Sequence, residues 1–251
     1  MHEMECCSVP HDYSVAADEV HVWRIALDWP PARIEAMTSL LSPDERQKAD
    51  RFRFAQDRVR SVVGRGVLRT LLARCAKTEP RELCFEYGSF GKPCLAGNFS
   101  DRPLQFNVSH SGDLALIALT VDRVIGCDVE RVRNDLEADQ IAARFFSPYE
   151  RRALRSVPEH LRFGAFFDCW TRKEAYIKAI GGGLSLPLDQ FDVSLTPGEP
   201  ARLLATRPDA AEAGRWTIQA LDMGADYRAA VAVEGAGWQI KMRNWPADET
   251  T

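Results

Sequence analysis

The chain carries the same helix start twice. Ser42-Pro43-Asp44-Glu45 and Ser147-Pro148-Tyr149-Glu150 lie 105 positions apart. Each puts Ser at the N-cap, Pro at the first helical position and Glu three residues after the cap, where its carboxylate can return to the cap N–H. A longer apolar stripe at helical spacing follows each start: Val59, Val62, Val63, Val67, Leu71, Leu72 and Cys75 in the first half, and Phe163, Phe166, Phe167, Trp170, Ile177 and Ile180 in the second. Gly181-Gly182-Gly183 stops the second helix. Strand-like runs occupy 104–108, 114–121 and 124–130, and 216–221 with 227–233 reads as a hairpin across Gly224. This pattern predicts an α+β fold of two similar α/β lobes related by pseudo-twofold duplication, with the active site in the cleft between them. The lobes fall at 20–122 and 123–240, with loose segments at 1–19 and 241–251.

At 251 residues and 45% apolar content the chain can bury a core in each lobe. Its first twenty residues carry Glu3, Glu5, Asp12, Asp18 and Glu19 without an apolar stretch, unlike a secretory signal, and its longest apolar runs, such as 114–119, are too short to span a bilayer. A cytoplasmic protein with no membrane contact is expected. The seven cysteines are odd in number and lack C-x-x-C spacing, which argues against a disulfide framework or a zinc site; Cys75, Cys127 and Cys169 read as small core residues. Net charge is −4, yet residues 46–74 hold nine Lys or Arg against Asp50 and Asp57, a local +7 that leaves −11 elsewhere. Such separation suits a local anion site, or simply a solvated helix face, and not a protein that coats nucleic acid.

Three segments carry chemistry. In Ile125-Gly126-Cys127-Asp128-Val129-Glu130 the apolar residues alternate with the acids, so a strand puts both carboxylates on one face. That pair suits a hard divalent cation, though a strand end entering solvent beside Arg131 and Arg133 would look the same. Trp170, Glu174 and Lys178 fall on one helix face at successive turns, which also fits an ordinary surface ion pair. Asn107-Val108-Ser109-His110-Ser111-Gly112 reads as a strand ending in a polar turn whose N–H groups could take a phosphate. Gly91-Lys92-Pro93 sets a lysine in a rigid loop, and Gly64 and Gly66 permit close approach along the first long helix.

Taken in order, these segments resemble the long, two-lobed class of 4'-phosphopantetheinyl transferases, the surfactin-synthetase-activating type. The resemblance lies in Phe85-Glu86-Tyr87-Gly88-Ser89-Phe90-Gly91-Lys92-Pro93, then the Phe106 to Gly112 block, then Ile125 to Glu130. It closes with Trp170-Thr171-Arg172-Lys173-Glu174-Ala175-Tyr176-Ile177-Lys178 and the glycines, Leu184, Ser185 and Leu186 behind it. It implies transfer of the phosphopantetheine arm of coenzyme A to a serine of acyl or peptidyl carrier proteins, with release of 3',5'-ADP. It further implies Mg²⁺, with Mn²⁺ a possible substitute, held by Asp128, Glu130 and Glu174, with Glu174 the base. By the same resemblance Lys178 contacts the pyrophosphate, Lys92, Ser109 and His110 grip the 3'-phosphoadenosine end, and Lys48, Arg51 and Arg60 add positive charge. His110 is the rival base. A monomer is implied. The chain departs from the family at Glu45, where a basic residue is common. The alternatives are a non-catalytic coenzyme A or carrier-protein binding module, and a magnesium-dependent phosphohydrolase.

Overall fold

A computed structural model describes residues 13–97, 103–133, 137–183 and 186–245. Cys6, Cys7, Leu184 and Ser185 lie outside the described residues, as do 1–12 and 246–251 of the ends expected to be loose at 1–19 and 241–251. The first half runs β1 (Glu19–Ala26), α1 (Pro31–Leu40), α2 (Pro43–Asp50), α3 (Ala55–Ala76), β2 (Phe85–Tyr87), β3 (Pro93–Leu95), β4 (Leu104–Ser111) and β5 (Leu114–Val121). The second runs β6 (Ile125–Arg131), α4 (Ala138–Phe145), α5 (Pro148–Ser156), α6 (Glu159–Ile180), β7 (Phe191–Val193), β8 (Leu203–Thr206), β9 (Trp216–Leu221) and β10 (Tyr227–Glu234), followed by β11 (Gln239–Asn244). Each half is therefore a strand, three helices, a short strand pair and two further strands. Pairing repeats as well: the sheets are ordered β11-β1-β5-β4 and β6-β10-β9, so β1-β5-β4 matches β6-β10-β9.

The repeat extends to buried charge. Glu45, three residues after Ser42, accepts the Ser42 N–H at 2.9 Å, and Glu150 accepts that of Ser147 at 2.8 Å. The fifteenth residue of each 22-residue helix, Arg69 in α3 and Lys173 in α6, then reaches back to that glutamate. Arg69 Nε lies 2.7 Å from Glu45 and Nη1 donates to the carbonyls of Pro80 and Leu83. Lys173 Nζ lies 2.7 Å from Glu150 and donates to the carbonyls of Leu188 and Phe191. A buried charge needs a partner and filled hydrogen bonds, and both lobes meet that need in the same way. Glu45, the departure from the family pattern, is thus an internal clamp also paired with Arg65 at 2.5 Å.

One core lies between α3 and the first sheet around Trp23, Ile25, Val67 and Leu71, and another packs α6 against the second sheet around Phe166, Tyr176 and Phe191. A third joins the lobes: Val20, Val22, Leu114 and Leu116 meet Ile125, Cys127, Val129 and Val231. Cys127 and Cys169 are buried in these cores; Cys75 is half-buried and its thiol donates to the Tyr13 carbonyl at 3.1 Å.

Two expectations change. The chain end returns to the first lobe, where β11 pairs in parallel with β1 from Glu19↔Gln239 to Arg24↔Asn244, and Trp245 is buried beside Trp23. The second lobe therefore stops short of 240, and 241–244 is sheet, because an alternating Gln-Ile-Lys-Met-Arg edge strand can satisfy the open side of β1. The Asn107–Ser111 segment is strand too, paired with β5 through Ser111↔Leu114, so the turn expected to offer free N–H groups shrinks to Gly112-Asp113.

Candidate active site

Strand β6 and helix α6 approach unusually closely. A Cβ on Gly126 would lie 2.2 Å from the Ala175 carbonyl and 2.3 Å from the Ala179 nitrogen, so only glycine lets the helix lie there. That approach sets Asp128, one residue pair along the strand on the same face, against Lys178: Nζ stands 2.6 Å from Asp128 Oδ1. Most of α6 is buried on both flanks, and Glu174 and Lys178 lie on its half-buried strip. Trp170, on the same stripe, instead packs against Phe145 and Phe166 in the second core.

The carboxylates occupy an unfavourable electrostatic setting. Burial raises the pKa of Asp128, opposed by Lys178 and Ser109. Burial raises that of Glu174 as well, and Asp128 and Glu130 push it further up. Glu130 is raised by burial and by Asp128, against the hydrogen bond from Ser111. Burial alone would lower Lys178, yet Asp128, as charge and as acceptor, leaves it above its ordinary value. Three acids thus face one ammonium. Asp128 Oδ2 is buried without a hydrogen-bond partner. Among the described residues no three His, Cys, Asp or Glu side chains converge on one point as a ready-made metal cage; the trio shares an electrostatic environment without closing on a centre.

A cavity of about 260 Å³ opens between Phe90, Gly91, Lys92 and Pro93 of the first lobe and Glu174, Ile177 and Lys178 of α6. A larger hollow of about 420 Å³ lies among α4, α5 and the start of α6, and none of the expected site residues line it. Lys92 does not project freely into the first cavity. Its Nζ donates to the Ile125 carbonyl at 2.9 Å and the Ala179 carbonyl at 2.8 Å, bridging the lobes, and burial lowers its pKa to about 8. Ser109 is buried and its hydroxyl contacts Asp128, Lys178 and the Val129 N–H. His110 is exposed on the next position of β4; desolvation of its ring, with the charges of Lys178 and Arg60, lowers its pKa. Arg60 bonds Asp113 at 2.5 Å and Asp57 at 3.4 Å. Lys48 and Arg51, at the end of α2, are exposed, and Arg51 reaches Gln47. The structure therefore gathers Asp128, Glu130, Glu174, Lys178 and Ser109, sets His110 and Arg60 near them, and leaves Lys48 and Arg51 on the surface.

The family model of the 4'-phosphopantetheinyl transferase superfamily matches residues 124–232, and that of the 4'-phosphopantetheinyl transferase N-terminal region matches 28–122. The chain belongs to the 4'-phosphopantetheinyl transferase superfamily. The boundary between the two matches falls at the β5–β6 turn, where the structural repeat begins again. This transferase is 42% identical over 232 residues to the 4'-phosphopantetheinyl transferase HetI of Nostoc sp., covering 92% of this chain and 94% of HetI. It is 36% identical over 163 residues to the 4'-phosphopantetheinyl transferase Sfp of Bacillus subtilis, covering 64% and 69% of the two chains. Among solved structures, the holo-[acyl-carrier-protein] synthase of Thermotoga maritima overlaps 45% of the transferase and 64% of its own chain at 21% identity, with a TM-score of 0.37. Asp128, Glu130 and Glu174 of the transferase lie in the half matched by the superfamily model. Ser111 and Asn107, to which the sequence assigns no role, also reach this site. Their signal was the alternation Asn-x-Ser-x-Ser facing the alternation on β6.

Proposed function

We propose that this transferase moves 4'-phosphopantetheine from coenzyme A to the serine hydroxyl of an acyl or peptidyl carrier protein, in the cleft where β4, β6 and α6 meet. The observation that carries the reading is the set of buried and half-buried carboxylates of Asp128, Glu130 and Glu174 around the Lys178 ammonium, with one Asp128 oxygen buried and unpartnered. Such a set fits a hard divalent cation, which binds through one or two carboxylates and completes its shell with phosphate and water, so no closed protein cage is required. Asp128 and Glu130, with Glu174 beside them, would hold Mg²⁺, which when bound supplies charge neutralisation on the pyrophosphate.

The serine oxygen forms a bond to the β-phosphorus of coenzyme A as the bond from that phosphorus to the bridging oxygen breaks, and 3',5'-ADP leaves with the bonding pair. Phosphoryl transfer of this kind needs position and charge more than covalent help. Lys178, kept protonated by Asp128, provides positive charge inside the cavity. Glu174 lines the same cavity with a carboxylate whose proton affinity is raised, which suits it to accept the serine proton. The exposed ring of Phe90 on the cavity wall offers a stacking face for the adenine. Arg60, His110, Lys48 and Arg51 supply the phosphate contacts at the outer end; Lys92 and Ser109 act there through the backbone and side chains they hold.

The test is intact-mass spectrometry of an apo carrier protein incubated with the transferase, coenzyme A and Mg²⁺, beside a Glu174→Ala variant. The expected result is a gain of one phosphopantetheine, lost in the variant. No gain across peptidyl and acyl carriers would overturn the reading, and free phosphopantetheine released without a carrier would point to hydrolysis instead.

A further inference from the structure

β4 and β6 run side by side, yet each belongs to a different sheet. Side chains make the connection. Asn107 Oδ1 accepts the Cys127 N–H at 2.9 Å, Ser109 Oγ accepts the Val129 N–H at 3.3 Å, and Ser111 Oγ accepts the Arg131 N–H at 3.1 Å. The step is two residues on both strands, so the alternating residues of β4 form three rungs to the alternating amides of β6. Each serine then sends its own proton to an acid of the site: Ser109 to Asp128 Oδ1 at 2.8 Å and Ser111 to Glu130 Oε2 at 2.7 Å. A hydroxyl has one proton and two lone pairs. Ser109, which donates to Asp128 and accepts from both Val129 N–H and Lys178 Nζ, has no capacity left for a phosphate oxygen.

We propose that Ser109 and Ser111 are positioning residues: each fixes one oxygen of Asp128 or Glu130 to the backbone of the strand that carries it, and Ser109 acts through Asp128 and does not grip coenzyme A. The ladder couples this to the lobes, because the serines come from the first and the acids from the second. It leaves Asp128 with Oδ1 occupied by Ser109 and Lys178 and Oδ2 unpartnered, so that one oxygen is aimed and available. Without the hydroxyls the carboxylates regain rotamer freedom and the Val129 and Arg131 amides lose their acceptors. This inference rests on the reading that Asp128 and Glu130 hold the divalent cation.

The experiment measures Mn²⁺ binding to the full-length protein from the electron paramagnetic resonance signal of free Mn²⁺, with and without coenzyme A, for Ser109→Ala, Ser111→Ala, Ser111→Thr and Asp128→Asn. Loss of a hydrogen-bond partner behind a metal ligand costs about 10–100-fold in affinity. Ser111→Ala should therefore bind Mn²⁺ at least about tenfold more weakly, with the KM for coenzyme A within about twofold of wild type, and Ser111→Thr, which keeps the hydroxyl, should restore binding. Near-UV circular dichroism of each variant separates lost positioning from lost fold, and the half-buried Ser111 keeps the test usable if Ser109→Ala does not fold. Unchanged Mn²⁺ affinity in both alanine variants, with Asp128→Asn impaired, would overturn the ladder's role and leave the cation assignment standing. Unchanged affinity in all variants, Asp128→Asn included, would overturn both.

Discussion

Lys92 shows how a side chain's partners can lie far from its place in the chain. The family resemblance implies a phosphate contact for the lysine between Gly91 and Pro93, and in the structure its ammonium caps the Ala179 carbonyl at the end of α6 and the Ile125 carbonyl at the start of β6. Burial lowers its pKa from 10.5 to about 8. Between those values the unfolded chain binds the proton more tightly than the fold, so the destabilising cost of burying the charge is fully present below about pH 8 and fades as pH rises towards 10.5. In urea unfolding, the stability of wild type relative to Lys92→Met should therefore shift in favour of wild type as pH is raised through that window; a constant difference would mean the ammonium is not held as described. The buried pairs make a second case. Lys173→Met leaves Glu150 buried and uncompensated and should cost about 3–5 kcal/mol of unfolding free energy. Arg69→Met should cost less, because Arg65 remains beside Glu45. Adding Glu150→Gln to Lys173→Met should recover part of the loss in the same urea experiment.

Between elements, two glycines behave in opposite ways although the sequence presents both inside or beside regular structure. Gly126 is where β6 and α6 touch, and an added Cβ would strike backbone that cannot yield without moving the helix. Gly126→Ala should cost more than the roughly 1–3 kcal/mol usual for an overpacked core, and should abolish transfer by displacing Glu174 and Lys178 from Asp128. Gly64 in α3 has nothing within 4 Å of its would-be Cβ, so Gly64→Ala should stabilise the protein by about 0.5–1 kcal/mol and leave transfer unchanged. Thermal and urea unfolding, with the carrier assay alongside, check both. Gly66 makes the close contact expected of the first helix, packing against Met37 of α1. Both long helices, both capping boxes, the strands β4, β5 and β6 and the β9–β10 hairpin were legible from short-range periodicity. The extension of β4 through Ser111 was not, because its polar residues imitate a turn when the partner strand that accepts them is unseen.

The whole molecule is two copies of one plan that cannot be pulled apart cleanly. The core around Val20, Leu116, Cys127 and Val231 is shared, and β11 carries the chain end back to β1. Fragments cut at the β5–β6 turn should therefore fail to unfold cooperatively on their own, and should regain structure when mixed; a sharp calorimetric transition in either isolated fragment would contradict this. Only the second copy carries an acidic pair on its first strand. With the 105-residue offset of the capping boxes, Asp128 and Glu130 fall opposite Trp23 and Ile25, which face α3 in the first core, so the first half spends on packing the positions that the second half gives to acids. The sequence by itself determined the repeated helix starts, the two long helices and the main strands, because these follow from spacing along the chain, while the set of acids came from the ordered resemblance to the family. Tertiary structure alone decided that β4 abuts β6, that β11 closes the first sheet, and that Lys92 and Ser109 spend their donors inside the protein. Those outcomes depend on which distant group reaches a given ammonium or hydroxyl first, and a side chain with one proton or one charge to share cannot announce its partner from its place in the chain.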